Sequence, residues 1–197
     1  MKILFIGNSY TFFHKMPEEI FAPMAREEGI DLDVMSVTRG GWYLRKFADP
    51  EGEEGKRLRA EIEGKKYDCI ILQEHSCNPV VDKEDFLVAV RAMKELLSPH
   101  TVHFVLYSTW GRCQGSDKLG ELGLSSAEMT DRLSAAYNEA GRECGMTVAE
   151  VGLAFRAYGE ENDVTALYDP DLSHPSQRGS EIAARVILDA VKRELGI

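Results

Sequence analysis

The chain has 197 residues, 44% of them hydrophobic and 28% charged, the balance of a soluble globular protein whose length suits a single domain spanning 1–197. Its 23 basic and 33 acidic residues leave a net charge of −10, which argues against nucleic-acid binding, since that runs on clustered cations neutralising phosphates. Apolar runs are short, as in Ile3 to Ile6 and Cys69 to Leu72, far below the about 20 residues of a membrane-spanning helix or the roughly 7–15 of a secretory leader, so no membrane partner is expected and the expected location is the cytoplasm.

Residues 2–7 (KILFIG) read as a buried strand ending in a turn. Pro17 opens a helix at a position where its missing N–H costs nothing, Pro23 predicts a kink or break within it, and Gly29 closes it. Asp31 to Val37 forms the second expected strand, ending at Arg39-Gly40-Gly41. Residues 43–64 read as two helical pieces separated by the acidic loop DPEGEEG at 49–55. The third strand is Asp68 to Gln73. An amphipathic helix follows over about 84–97, with Phe86, Val90, Met93 and Leu97 recurring every three or four residues. Val102 to Tyr107 is the fourth strand, and Gly111 to Gly123 a Gly-rich loop long enough to suggest function. Ser125 and Glu128 form a capping box ahead of a helical stripe that runs from Met129 to Cys144. Thr147 to Gly152 reads as the fifth strand, and a helix over about 177–194 ends the chain.

Strands alternating with helices of ten or more residues imply right-handed βαβ crossovers. The expected fold is α/β, a three-layer α/β/α arrangement around a five-stranded parallel sheet with flavodoxin-like strand order. The four cysteines, Cys69, Cys77, Cys113 and Cys144, contain no C-x-x-C pair, so neither a zinc site nor a redox motif is expected, and Cys69 and Cys144 read as buried free thiols.

In an open parallel sheet, sites form beyond the carboxyl ends of the strands. The residues there are Gly7-Asn8-Ser9-Tyr10-Thr11, Arg39-Gly40-Gly41-Trp42, Gln73-Glu74-His75-Ser76-Cys77-Asn78 and Ser108-Thr109-Trp110, joined by Tyr168 to Pro175 ahead of the last helix. A serine hydroxyl becomes a nucleophile only when a base removes its proton, usually an imidazole oriented by a carboxylate. Ser9 at a strand-to-helix turn would expose its Oγ and add unpaired amides that favour an oxyanion; alternatively it merely caps a helix. Asp171 and His174, three residues apart in a turn, can meet through Nδ1 and leave Nε2 for Ser9. Of the other histidines, His100 and His103 read as structural, His14 lies too close to Ser9 in sequence, and His75 stays a candidate on the rim.

These residues carry a resemblance. KILFIGNSYT at 2–11 and LYDPDLSHPSQRG at 167–179 resemble the opening and closing motifs of the SGNH (GDSL-like) serine hydrolase superfamily, within it a little-characterised bacterial group with G-N-S-[FY]-T and L-Y-x-x-D-x-x-H-P-S-x-x-G. Gly40-Gly41, LQEHS at 72–76 and STW at 108–110 match the intermediate stations, so the resemblance covers essentially the whole chain. It implies Ser9 as nucleophile, His174 as general base and then acid, and Asp171 as its orienting partner. The oxyanion hole would use the N–H groups of Ser9 and of Gly41, or the neighbouring Gly40. The superfamily's usual G-x-N-D turn after the third strand is missing. A replacement side-chain donor is expected from Gln73 first, then Asn78, then Ser76. The first motif reads G-N-S where G-D-S is commoner.

Glu74 reads as a solvated carboxylate at a strand end, ahead of a group that binds a substrate hydroxyl. Trp42 and Trp110 would either stack on a sugar at the substrate rim or pack under the loops. Arg39, Arg45 and Arg178 would either meet an anionic substrate or serve solubility. The implied activity is hydrolysis of a carboxylic ester of a small molecule, with a short acyl group such as acetate on a carbohydrate, using no metal and no cofactor. The competing reading is a non-catalytic flavodoxin-like module that holds an anion at the first turn. It lacks both a G-x-G-x-x-G and a P-loop pattern. Nothing in the sequence indicates an oligomeric state.

Overall fold

A computed structural model describes all residues, Met1–Ile197. Five parallel strands, β1 (Lys2–Gly7), β2 (Asp33–Thr38), β3 (Cys69–Leu72), β4 (Phe104–Ser108) and β5 (Thr147–Glu150), form one sheet in the order β2-β1-β3-β4-β5. This is the expected doubly wound, flavodoxin-like order, which the alternation of elements alone leaves open. The sheet is buried on both faces, so successive residues of each strand feed opposite cores. Leu4 and Ile6 of β1, Ile70 and Leu72 of β3, and Phe104 and Leu106 of β4 pack into one. Ile3 and Phe5, Cys69 and Ile71, and Val105 and Tyr107 pack into the other.

Helices α1 (Ser9–Phe12), α2 (Ala22–Glu27), α3 (Leu44–Ala48), α4 (Glu53–Ile62), α5 (Asn78–Val81), α6 (Lys83–Leu97), α7 (Asp117–Leu122), α8 (Ser126–Cys144), α9 (Val151–Glu161) and α10 (Gln177–Leu195) connect the strands. The first core takes α3, α4, α6 and α8 through Phe47, Leu58, Phe86, Met93, Leu133 and Tyr137. The second takes α2, α9 and α10 through Ala25, Phe155, Ala184, Ile187 and Val191. The Ser125–Glu128 capping box forms, with each residue's side chain bonded to the other's backbone N–H. Around Pro23 the helix does break in character: Met16–Phe21 is a π-helical turn and the α-helical bonding resumes at Ala22. All four cysteines are buried and unpaired. No helix is long and apolar enough to cross a membrane.

Several boundaries differ from the sequence reading. β4 begins at Phe104 because Val102 projects into solvent with 81% exposure. β5 stops at Glu150, and Val151 and Gly152 begin α9, a helix the sequence reading lacks. The apolar run VAEVGLAF contains no breaker to mark that change. Gly152 is small for a packing reason: a Cβ there would lie 2.5 Å from the Thr109 carbonyl oxygen. The Gly-rich stretch after β4 contains the short α7, and α5 follows β3 unannounced.

The chain leaves β1 toward β2 on one side, while β3 lies on the other. The crevice beyond the carboxyl ends of β1 and β3 is therefore the topological switch point, where such sheets place their sites. The turn carrying Ser9 opens directly into it.

Candidate active site

Gly7 ends β1 with no room for a side chain: a Cβ would lie 2.5 Å from Thr11 Oγ1 and 2.7 Å from Gln73 Oε1. Asn8 then caps α1, its Oδ1 accepting the Tyr10 N–H at 3.2 Å. Its Nδ2 donates to the Trp42 carbonyl at 3.0 Å, tying this turn to the loop after β2. An aspartate at this position would repel that carbonyl, which gives the G-N-S sequence a physical reason. Ser9 is the first helical residue, and its N–H has no acceptor within the protein.

The second half of the site is the turn Asp169–His174, fastened by the antiparallel bridge between Tyr168 and Pro175. Leu172 adopts φ +58° there, a conformation costly for a branched side chain, and its carbonyl is held by the Cys113 N–H at 2.9 Å. Asp171 Oδ1 accepts the N–H groups of Ser173 at 3.0 Å and His174 at 2.9 Å. Its Oδ2 bonds His174 Nδ1. Partial burial pushes the Asp171 carboxyl up, but the bonds from His174 and Ser173 outweigh it and hold the group below the ordinary carboxylate value. An ionised Asp171 can only accept, so Nδ1 carries the proton and Nε2 presents its lone pair. That Nε2 lies 2.9 Å from Ser9 Oγ.

A cavity of about 310 Å³ opens over this pair, lined by Asn8, Ser9, Tyr10, Gly41, His75, Ser76, Arg112, Asp171, Ser173 and His174. Gly41 has φ +69° and its N–H, like that of Ser9, has no acceptor in the protein. Gly40 does not line the cavity. His75 is on the cavity wall, stacked on Tyr43 at 4.5 Å; its pKa is lowered by burial first and by the charges of Arg112 and Lys118 after it. The remaining histidines lie outside the cavity: His14 bonds Ser180, His100 the Lys65 carbonyl, and His103 Glu194.

Four sequence expectations are corrected. Gln73 does not face the cavity: its Oε1 accepts the Asn8 N–H and the Thr11 hydroxyl, both at 2.9 Å, and its Nε2 donates to the Glu74 carbonyl. Asn78 is likewise occupied elsewhere, donating to Asp85 at 3.0 Å. Of the three named replacements only Ser76 lines the cavity. Glu74 is no solvated carboxylate; at 0% exposure it accepts the Leu44 N–H at 3.2 Å and the His75 N–H at 2.5 Å, and burial pushes its pKa up to about 7. The loop presenting Gly41 is thus pinned on one side by Asn8 and on the other by Glu74.

Trp110 is also no rim residue. It is fully buried between Tyr10 at 4.6 Å and Phe155 at 4.3 Å, and its Nε1 donates to the Ser173 carbonyl. This aromatic stack supports the turn that carries Asp171 and His174. Trp42 is partly buried under Lys46, whose Nζ is 4.2 Å from the ring, and Arg39. Arg39, Arg45 and Arg178 each pair with a carboxylate, on Glu54, Asp85 and Glu181.

Two residues at the site escaped the sequence reading. Phe13 stacks flat on His174, with centroids 4.2 Å apart and planes inclined by 9°, a face that favours an imidazolium. The adjoining His14 and Lys15 take positive φ to put it there. Phe13 had no motif to mark it. Arg112 follows Trp110 and Gly111 and sat within the stretch read only as Gly-rich. No cluster of three or more His, Cys, Asp or Glu side chains with metal-binding geometry forms in the structure.

No family model and no curated protein matches the sequence. Among solved structures, the chain is similar to a protein of Slackia heliotrinireducens proposed to be an SGNH hydrolase, with 29% identity and a TM-score of 0.84 over 96% of this chain and 98% of that one. A DUF4886 family protein from Bacteroides uniformis is similar at 15% identity and a TM-score of 0.81, over 98% of this chain and 83% of that one. A catalytic mutant of an acetylxylan esterase from Geobacillus stearothermophilus shares the fold at 16% identity and a TM-score of 0.69, over 96% and 93%.

Proposed function

From the premise that this chain belongs to the SGNH hydrolase superfamily, we propose that it is a serine esterase acting on short-chain esters of a carbohydrate or other small molecule, and that residues 1–197 act as a single domain. The observation that carries the reading is the 2.9 Å contact between Ser9 Oγ and His174 Nε2, with Asp171 fixing the opposite ring nitrogen. An anion-binding module has no use for that alignment, so the geometry favours hydrolysis.

In the proposed reaction, Ser9 Oγ attacks the ester carbonyl as His174 Nε2 takes its proton. The charge that develops on the carbonyl oxygen is met by the N–H groups of Ser9 and Gly41. Collapse of the tetrahedral intermediate releases the alcohol, protonated by His174, and leaves the acyl group on Ser9. Water, deprotonated by His174, then attacks the acyl-enzyme, and the acid departs as Ser9 regains its proton. Asp171 holds the imidazole in the required tautomer throughout and Phe13 supports its charged form. A short acyl group suits the small, polar cavity, and an acetylxylan esterase of the same fold supports acetate on a sugar.

Ser9→Ala and His174→Ala variants assayed on 4-nitrophenyl acetate test this. Loss of either group is expected to lower turnover by up to about 10⁶, and a fluorophosphonate should label Ser9. Unchanged turnover in folded Ser9→Ala protein ends the proposal.

A further inference from the structure

Arg112 stands apart from the ion-paired arginines of this acidic chain. Arg39, Arg45, Arg57, Arg91, Arg156, Arg178 and Arg185 each meet a carboxylate within 4.0 Å; Arg26, Arg59, Arg112, Arg132, Arg142 and Arg193 do not, and of these only Arg112 lines the cavity that holds Ser9. It is half-buried in the wall of the cavity that holds Ser9. Neutral groups fix its head: Nη1 donates to Ser173 Oγ, and Nη2 to Ser76 Oγ at 3.2 Å and Cys77 Sγ at 3.9 Å. Its Nε is buried with no partner at all. The one carboxylate in the cavity wall, Asp171, is already engaged by His174. On the neighbouring α7, Glu121 lies within reach of the Arg112 charge but is paired with Lys118 at 2.7 Å, and no carboxylate of that helix comes within ion-pair distance of Arg112.

A guanidinium partly withdrawn from water without a counter-ion is costly, and it is kept where something else completes its coordination. Its planar fork matches the paired oxygens of a carboxylate. We propose that Arg112 is a substrate-binding residue that selects esters bearing a carboxylate close to the scissile bond. The proposal rests on the esterase reading for its reaction, but the anion preference can be read without turnover.

Two matched pairs of esters test it. 4-Acetoxybenzoate against 4-acetoxybenzamide places the charge on the alcohol side, and monomethyl succinate against methyl butyrate places it on the acyl side. A kcat/KM preference of about tenfold or more for the anion is expected in at least one pair, carried mainly by KM. It should collapse in Arg112→Gln, survive in part in Arg112→Lys, and shrink at high salt. Which pair shows it identifies the side of the ester that Arg112 reads. Equal kcat/KM within both pairs, or a preference that persists in Arg112→Gln, overturns the proposal. Calorimetry on Ser9→Ala protein supplies the readout independent of turnover: in at least one of the two pairs the anionic ester should bind at least tenfold more tightly than its neutral partner. That preference without hydrolysis of any ester would refute the esterase and leave Arg112 an anion site. Hydrolysis with no preference in either measurement would refute the role of Arg112 alone.

Discussion

Gln73→Met separates the two roles open to that side chain. Methionine keeps its length and volume but deletes the carboxamide, which is 1% exposed and makes three bonds. The Asn8 N–H, the Thr11 hydroxyl and the Glu74 carbonyl would each lose a partner in the interior. A buried polar group left unsatisfied costs about 1–3 kcal/mol, and the Thr11 hydroxyl can turn back to the carbonyl of Gly7 or Asn8, just ahead of its helix. The expected loss is about 3–5 kcal/mol, a large fraction of a stability that is typically about 5–15 kcal/mol. For a chain of this size it corresponds to a fall in Tm of about 6–20 °C. Because the carboxamide does not reach the cavity, turnover of 4-nitrophenyl acetate well below the transition should fall by no more than about tenfold, through a loosened Ser9 turn. Thermal unfolding followed by circular dichroism, with steady-state kinetics on the same preparation, checks both numbers. An unchanged Tm with a turnover loss of about 10²–10³ would be the signature of a missing oxyanion donor, and would refute this placement of Gln73.

Three further outcomes follow from the same contacts. Burial raises the Glu74 carboxyl from 4.5 in the unfolded chain to about 7 in the fold, so between those values the native state binds more protons than the unfolded one and stability falls as pH rises, by about 3 kcal/mol. Denaturant titrations should show that slope in the wild type and not in Glu74→Gln; equal slopes would contradict it. Asn8→Asp keeps the cap on Tyr10 but sets a carboxylate against the Trp42 carbonyl, and is expected to lower kcat/KM about tenfold by displacing the Gly41 loop; a variant as active as the wild type would show that this bond does not position the loop. Asp171→Asn, with the imidazole free to take the wrong tautomer, should lose about 10⁴ in kcat while remaining folded, measured on the same ester.

The five strands in their order and the parallel sheet were legible in the sequence, because they rest on hydrophobic period and on alternation with helices. Ser9, Asp171 and His174 were legible as candidates only together: the Gly-Asn-Ser and D-x-x-H turns are weak signals alone, and the resemblance to the SGNH superfamily joined them. What a side chain faces is not local. Gln73, Glu74 and Trp110 occupy rim positions in sequence, and their neighbours alone gave no sign that they turn inward. Gln73 is drawn under the Ser9 turn by an N–H and a hydroxyl from the other side of the crevice, Glu74 by the amide of Leu44, and Trp110 by rings from α1 and α9. The same holds in the opposite direction for Phe13 and Arg112. One reaches His174 across 161 residues of sequence and the other meets Ser76 and Ser173, contacts that exist only once the sheet has brought five separate loops to one edge. Sequence period and turn chemistry determined the scaffold and marked its candidate pair; long-range hydrogen bonds and packing decided which polar groups brace that pair and which are left facing the cavity.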